Sequence, residues 1–181
     1  MSNKILIIYK SRTGFTKRYA EMITEEIDCT LIDYKSITAT TMSEFDTVVF
    51  GSRAHAGMID GYKKAKEMFQ KSAAKKFILF VTGATPNAAE EVIKEFWKQN
   101  LSTDELENIP HFYMQSGLNY EKMSLPDKAM MKMAAAMMKK KKEKDSYERE
   151  FEQAITSSYD ISSKEYIKPL ISFLKEESEY K

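Results

Sequence analysis

The sequence predicts an α/β domain in which helices cover both faces of a parallel β-sheet. Short apolar runs without polar alternation recur between Lys4 and Gln115, as is typical of strands buried on both faces. Segments with the apolar spacing of amphipathic helices separate these runs. Because parallel strands need crossover connections, this alternation favours a doubly wound parallel sheet.

Length and composition indicate one globular domain. The chain has 181 residues, and we assign 1–181 to a single domain with an insertion at about 119–160. A net charge of +1 gives no general reason to expect nucleic-acid binding. The single Cys29 excludes an internal disulfide. The N-terminal apolar run is too short for a signal peptide, and no run reaches the roughly 20 apolar residues of a membrane span, so we expect a cytoplasmic protein.

The first half of the chain contains three predicted strands and two predicted helices. The strands are expected at Lys4–Tyr9, Thr30–Asp33 and Asp46–Gly51. The helices are expected at Phe15–Ile27 and Tyr62–Lys71. The inner face of the first helix is predicted to contain Tyr19, Met22, Ile23 and Ile27.

After residue 71 the sequence predicts two more strands, at Phe77–Val81 and Ile109–Gln115, and a helix at Asn87–Lys98. The inner face of that helix is predicted to contain Ala88, Val92, Ile93, Phe96 and Trp97. A last helix is expected to begin at Ser162, because Ser162 and Glu165 fit a capping box and Ile161 could pack on Tyr166. Pro169 should bend this helix or shift its start.

The segment Asn119–Asp160 is far longer than an ordinary connection. Ser124 and Asp127 predict a helix N-terminus within it, and Pro126 is compatible with a first turn. One face of the helix is expected to carry Met130, Met133, Met137 and Met138, and the opposite face Lys128, Lys132 and Lys139. Such a basic amphipathic helix could lie on a membrane surface. Alternatively, its methionines pack on the domain or on a second copy of the chain.

The segment Ser11–Thr16 lies between the first predicted strand and the first predicted helix. Hydroxyls of Ser11, Thr13 and Thr16 could join backbone N–H groups at the helix start, where the helix dipole also favours an anion. Gly14 permits close approach or a positive φ angle. The segment lacks the glycines and lysine of a P-loop, which suits a mononucleotide phosphate that is held without being hydrolysed. The alternative is an ordinary strand-to-helix turn.

This segment, Ser11-Arg12-Thr13-Gly14-Phe15-Thr16, resembles the S/T-x-T-G-x-T phosphate loop of the flavodoxin family. The resemblance extends from Lys4 to Gly117 and again over the final helix. It implies a flavodoxin-like five-stranded sheet in the order 2-1-3-4-5 and FMN as the cofactor. It also implies that all six residues of the loop lie at the FMN phosphate.

The resemblance further implies that the loop after the third strand passes over one face of the isoalloxazine ring. Gly57 matches the glycine whose peptide adjusts to the protonation state of flavin N5. Arg53 and His55 could place positive charge near the flavin N1–C2=O edge, although ordinary surface charge is an equal alternative. The loop contains no Trp or Tyr, and Met58 could supply a soft contact instead. The flavin contacts predicted here are Arg53, Ala54, His55, Ala56 and Gly57.

A third predicted flavin loop follows the fourth strand and contains Thr82, Gly83 and Ala84. The resemblance implies that it contacts the ring through backbone amides and carbonyls. The alternative is a helix-entry turn with Thr85 or Asn87 as the N-cap.

Three functions remain open at this point. No catalytic side chains or metal ligands are identified, so any chemistry must come from the cofactor. The first function is electron transfer through bound FMN to a redox partner protein. The second is a quinone-linked FMN oxidoreductase, because Gly117–Tyr120 and the Met/Lys-rich helix resemble flavodoxin-like protoporphyrinogen dehydrogenases. The third is a flavin-free interaction module.

Overall fold

The computed structural model describes residues 3–144, 149, 152 and 154–179. Six strands form the main sheet: β1 (Ile5–Tyr9), β2 (Thr30–Asp33), β3 (Thr47–His55), β4 (Met58–Ile59), β5 (Lys76–Gly83) and β6 (His111–Gln115). Five of them are parallel in the order β2-β1-β3-β5-β6, and β4 pairs antiparallel with the end of β3. Counted without β4, this is the predicted order 2-1-3-4-5, so the predicted fold class is confirmed.

Helices connect these strands and continue into the insertion. They are α1 (Phe15–Thr24), α2 (Ala39–Met42), α3 (Tyr62–Gln70), α4 (Glu90–Asn100), α5 (Thr103–Asn108), α6 (Leu125–Lys140) and α7 (Lys168–Glu179). Three 3-10 turns lie at Tyr34–Ser36, Tyr120–Lys122 and Lys164–Ile167. Two short strands, β7 (Gly117–Leu118) and β8 (Tyr159–Asp160), pair antiparallel and bring the two ends of the insertion together.

The hydrophobic core lies on both faces of the sheet because successive residues of a strand point to opposite faces. In β1, Ile7 packs with Tyr19 and Ile23 of α1 and with the buried face of α7. Its neighbour Leu6 packs on the other face with residues of α3 and α4. Both β1 side chains are fully buried, as the unbroken apolar run predicted.

The end of α1 and the start of α4 each differ from the prediction by three residues. α1 ends at Thr24, before Ile27. α4 begins at Glu90 because Asn87 exchanges hydrogen bonds with Gln115: each backbone N–H donates to the other's side-chain oxygen, at 3.0 and 3.1 Å. Ala88 therefore lies before the helix and is exposed. Val92, in the first turn of α4, is also exposed, so neither side chain packs in the core.

The start of the last helix was also predicted incorrectly. Ser163, one residue after the predicted cap, accepts a hydrogen bond from the Glu165 N–H and caps the 3-10 turn. α7 itself begins at Lys168, so Pro169 lies in its first turn, where a fixed φ is tolerated. Ile161 remains exposed instead of packing as a hydrophobic staple.

α6 begins as predicted, with the Ser124 hydroxyl accepting from the Asp127 N–H at 3.3 Å. The predicted methionine face is wrong, because it is divided between two sides of the helix. Met131 and Met138 pack against a small core of Leu118, Ala135 and Ile155. Met133 and Met137 are 63% and 70% exposed on the other side. None of the described helices combines the length and apolar character needed to cross a membrane.

Candidate functional site

A cavity of about 690 Å³, the main cavity, opens at the carboxyl ends of β3, β5 and β6 and extends beneath α6. This size is typical of small-molecule sites, and the carboxyl edge of a parallel sheet is where ligands of such folds bind. Its walls include Thr13 and Phe15, five consecutive residues from Arg53 to Gly57, and Thr82, Gly83 and Ala84. Residues from all three predicted flavin loops therefore meet at one cavity.

The phosphate loop supplies the N-terminus of α1. Gly14 has φ 102°, a conformation that side chains disfavour, and it lies directly before the first helical residue. The Ser11 hydroxyl oxygen is buried and has no hydrogen-bond partner in the described part of the chain. A buried hydroxyl without a partner is costly, so a bound anion would stabilise the loop if it reached this atom. Ser11 itself lines neither the main cavity nor the neighbouring cavity beside Gly14. Arg12 is exposed at the same turn.

Thr16 differs from the expectation that its hydroxyl faces a phosphate. Its side chain is 1% exposed, and its hydroxyl lies 2.8 Å from that of Thr82 in β5. This hydrogen bond joins α1 to the sheet. Of the three hydroxyls predicted to face a phosphate, only those of Ser11 and Thr13 remain candidates.

The beginning of the insertion also reaches the phosphate loop. The Asn119 side-chain amide donates to the Thr13 carbonyl at 3.4 Å. Lys122 Nζ lies 3.7 Å from the position that a Cβ atom on Gly14 would occupy. A second cavity of about 240 Å³, the small cavity, is lined by Thr13, Gly14 and Lys122 among others. Neither Asn119 nor Lys122 is predicted from the sequence to lie at the phosphate loop, because both belong to a long connection that is distant from this loop in sequence.

The predicted loop after the third strand is largely a β-hairpin. Arg53, Ala54 and His55 belong to β3, and Ala56 and Gly57 form the turn to β4 with φ angles of 50° and 78°. Positive φ at both turn residues matches a type I′ hairpin, whose twist suits paired strands. Met58 is exposed and does not line the main cavity, so the soft contact predicted for it is wrong.

Asn100, at the end of α4, holds this hairpin. Its side-chain amide donates to the Gly57 carbonyl at 2.8 Å, and its side-chain oxygen accepts from the Ile59 N–H at 2.9 Å. The Gly57 peptide is thus tied to a helix, and turning its carbonyl toward a ligand would break the first of these bonds. No local sequence pattern predicts this role of Asn100, because 43 residues separate it from Gly57.

The third predicted flavin loop is mostly strand, because β5 continues to Gly83. Thr82 and Gly83 pair with residues of β6, and only Ala84 lies in the connection that follows. Thr82, Gly83 and Ala84 all line the main cavity, and the Ser116 N–H donates to the Gly83 carbonyl at 2.8 Å. The alternative cap residues are not used, because the N-cap of α4 is Ala89 and it makes no side-chain cap hydrogen bond.

Apolar side chains from outside the predicted loops complete the main cavity. α4 contributes Phe96, β6 contributes Tyr113, and the insertion contributes Met123, Met130 and Met131. The hairpin has no Trp or Tyr, but neighbouring elements place Phe96 and Tyr113 in the wall of the main cavity. The sequence predicts that Phe96 faces inward. It does not predict that residues of the insertion line the same cavity.

A cluster of charged side chains lies where α6 meets the hairpin and the phosphate loop. Asp127 Oδ1 is 2.9 Å from His55 Nε2, and Oδ2 is 3.6 Å from Arg53 Nη1 and 4.0 Å from Arg12 Nε. Burial raises the pKa of Asp127, but hydrogen bonds from His55 and Ser124 and the charge of Arg53 outweigh it and lower the pKa to about 2. Asp127 is therefore ionised at neutral pH and offsets the positive charge predicted for this wall.

Comparisons with known proteins agree with this architecture. Residues 6–145 match a family model described as a flavodoxin domain. No curated protein matches the sequence significantly.

Several solved structures resemble this one. A flavodoxin, a WrbA-like protein from Agrobacterium tumefaciens, is 20% identical, with 70% of this chain and 88% of that chain covered and a TM-score of 0.40. A flavoprotein in complex with FMN from Lactobacillus acidophilus is 18% identical, with 63% and 93% covered and a TM-score of 0.40. Oxidised Flavodoxin 1 from Bacillus cereus is 14% identical, with 76% and 99% covered and a TM-score of 0.40.

Proposed function

The chain belongs to the flavodoxin-domain family, and we propose that it binds FMN in the main cavity and transfers electrons through it to a redox partner. One observation carries the proposal: a single cavity is lined by Thr13 and Phe15 of the phosphate loop and by both other segments that were predicted to contact the flavin, 53–57 and 82–84. Family membership supports FMN as the cofactor.

The described residues suggest how FMN is held. Ser11 and Thr13 supply hydroxyls, and the N-terminus of α1 supplies backbone N–H groups to the phosphate. Lys122 supplies a positive charge next to Gly14. The hairpin and Thr82–Ala84 provide the walls for the ring, while the insertion keeps water away from it. FMN supplies the redox chemistry, and the chain orients it and adjusts its charge environment.

We test the phosphate role by comparing FMN with riboflavin, which lacks the phosphate. Thr13→Ala should weaken FMN binding roughly ten- to a hundredfold, since hydrogen bonds to charged groups contribute about 1.5–3 kcal/mol. Riboflavin binding should change little. Dissociation constants from quenching of flavin fluorescence measure both effects. Thr40→Ala, at an exposed position of α2, is the matched control and should leave both constants unchanged.

Two outcomes count against this proposal. Equal weakening of FMN and riboflavin by Thr13→Ala would remove the phosphate role of the loop. Failure of the unaltered chain to bind FMN at any reasonable concentration would favour the flavin-free interaction module.

The second candidate is a quinone-linked oxidoreductase that works at an anionic membrane surface. Inward methionines of α6 provide apolar contacts for a flat acceptor beside the flavin site. The outer face of α6 combines exposed apolar and basic side chains: Leu125, Lys132, Met133, Met137, Lys139 and Lys140. Lysines near an anionic bilayer contribute about 1 kcal/mol each, and the methionines can enter the headgroup region.

Vesicle sedimentation tests the membrane contact. The chain should bind vesicles containing phosphatidylserine and should not bind vesicles of phosphatidylcholine alone. Replacing Lys132, Lys139 and Lys140 by Gln should reduce binding at least tenfold. The control replaces Lys63 and Lys64 of α3 by Gln, which should leave vesicle binding unchanged. Equal binding to both vesicles would contradict the contact, and dimerisation through this face would support the homodimer alternative instead.

Reoxidation by a quinone tests the redox half of this candidate. The FMN-loaded chain, once reduced, should be reoxidised rapidly by a soluble naphthoquinone. Replacing Met130 and Met131 by Ala should slow this step more than it weakens FMN binding. Reoxidation that is unchanged in this variant would argue against an acceptor site beneath α6.

A further inference from the structure

Charged side chains of alternating sign run from the end of β1 to α6. Lys10 Nζ lies 2.6 Å from Asp60 Oδ1, and Arg53 Nε lies 3.4 Å from Asp60 Oδ2. Arg53 then reaches Asp127, which also contacts His55. The row links the phosphate-loop strand, the hairpin and the insertion through successive ion pairs.

Asp127 is the member of this row that the insertion provides. It lies in the first turn of α6, fixed there by the hydrogen bond between its N–H and Ser124. Its side chain is 10% exposed, and that of Arg53 is 14% exposed. The other carboxylates that line the main cavity, Glu91 and Glu95 of α4, are exposed. Among these three, Asp127 is thus the least screened by solvent.

The ion pairs of Asp127 with Arg53 and His55 lie close enough to a bound flavin to affect it, because all three side chains line the main cavity. Positive charge on the wall favours reduced flavin, which gains negative charge, and a nearby carboxylate opposes this effect. Arg53 also has Asp60 as a second partner, so neutralising Asp127 leaves Arg53 attached to the hairpin.

We propose that Asp127 is a positioning residue of the flavin site: it holds Arg53 and His55 against the cavity wall and, through its charge, lowers the reduction potential of the bound flavin. This inference rests on the proposed function, because it needs FMN in the main cavity. It assigns the insertion a role in setting the potential in addition to covering the site.

The test compares Asp127→Asn with the unaltered chain, each loaded with FMN, at pH 7. The midpoint potential of the bound flavin should shift to more positive values. Equivalently, the ratio of the dissociation constants of oxidised to reduced FMN should rise roughly fivefold or more. Asp127→Glu, which keeps the charge, should restore a potential close to that of the unaltered chain. Asp104→Asn, an exposed carboxylate of α5, is the matched control and should have no effect.

A potential that stays unchanged, or becomes more negative, in Asp127→Asn with FMN bound would overturn this inference alone. If that variant does not fold, Asp127→Ser offers a smaller polar side chain with the same expected positive shift and the same contrary result. Absence of FMN binding by the unaltered chain would overturn the proposed function and this inference with it. The two failures are therefore distinguishable.

Discussion

At the scale of single residues, the hydrogen bond between two buried threonines is the contact that distinguishes structural from ligand-binding hydroxyls in the predicted site. Thr16 of α1 and Thr82 of β5 are 1% and 2% exposed, and their hydroxyls lie 2.8 Å apart. The sequence identified both as candidate flavin contacts, because each occupies a loop position that the family uses. It could not show that they contact each other, since the hydrogen bond joins positions that are distant in sequence.

We expect Thr82→Val to destabilise the chain by about 1–3 kcal/mol, because it removes the partner of a buried hydroxyl. Thr16→Val should have a similar effect for the same reason. The double variant should lose clearly less free energy of unfolding than the sum of the losses in the two single variants, since neither hydroxyl is then left buried without its partner. Urea unfolding of the four proteins measures the coupling. Strict additivity would show that the two hydroxyls do not interact.

The hairpin between β3 and β4 illustrates what the sequence could and could not predict at the scale of elements. The parallel strands were predicted because uninterrupted apolar runs have few alternatives in this fold. At the hairpin the sequence predicts a loop, because Ala56-Gly57 lacks the Asn-Gly or Asp-Gly signal of a type I′ turn. Similarly, the sequence of α6 does not show which of its methionines face the domain and which face outward. Their packing against Leu118 and Ile155 determines this.

Ala56 has φ 50°, a conformation that costs alanine free energy and that asparagine adopts more readily. We therefore expect Ala56→Asn to stabilise the chain by about 0.5–1 kcal/mol. Gly57→Ala, at φ 78°, should destabilise it by a similar amount or more. Thermal unfolding measures both. Ala88→Asn, at an exposed turn position without positive φ, is the control for the side-chain change.

Destabilisation of the chain by Ala56→Asn, or no change in stability, would contradict a positive φ angle at this position. This result also tests part of the proposed FMN site, because the same turn contains Gly57, a predicted flavin contact whose carbonyl accepts a hydrogen bond from Asn100.

At the scale of the whole molecule, the insertion joins the parts of the site that the sheet leaves separate. Asn119 contacts the phosphate loop, Asp127 contacts the hairpin, and Met130 and Met131 line the main cavity. β7 and β8 bring its two ends together beside the sheet. The sequence predicted the insertion's position and its helix, but its placement depends on contacts between distant segments that no local pattern records.

The central claim is that one cavity, bounded by the phosphate loop, the β3–β4 hairpin, the end of β5 and α6, is the FMN site. Amide hydrogen exchange of the chain with and without FMN tests it most directly, because binding should protect the backbone that surrounds the ligand. We expect added protection in 11–16, 53–57, 82–84 and the first turns of α6, with little change in α5. Saturable FMN binding with protection elsewhere, or without protection in these segments, would contradict the account.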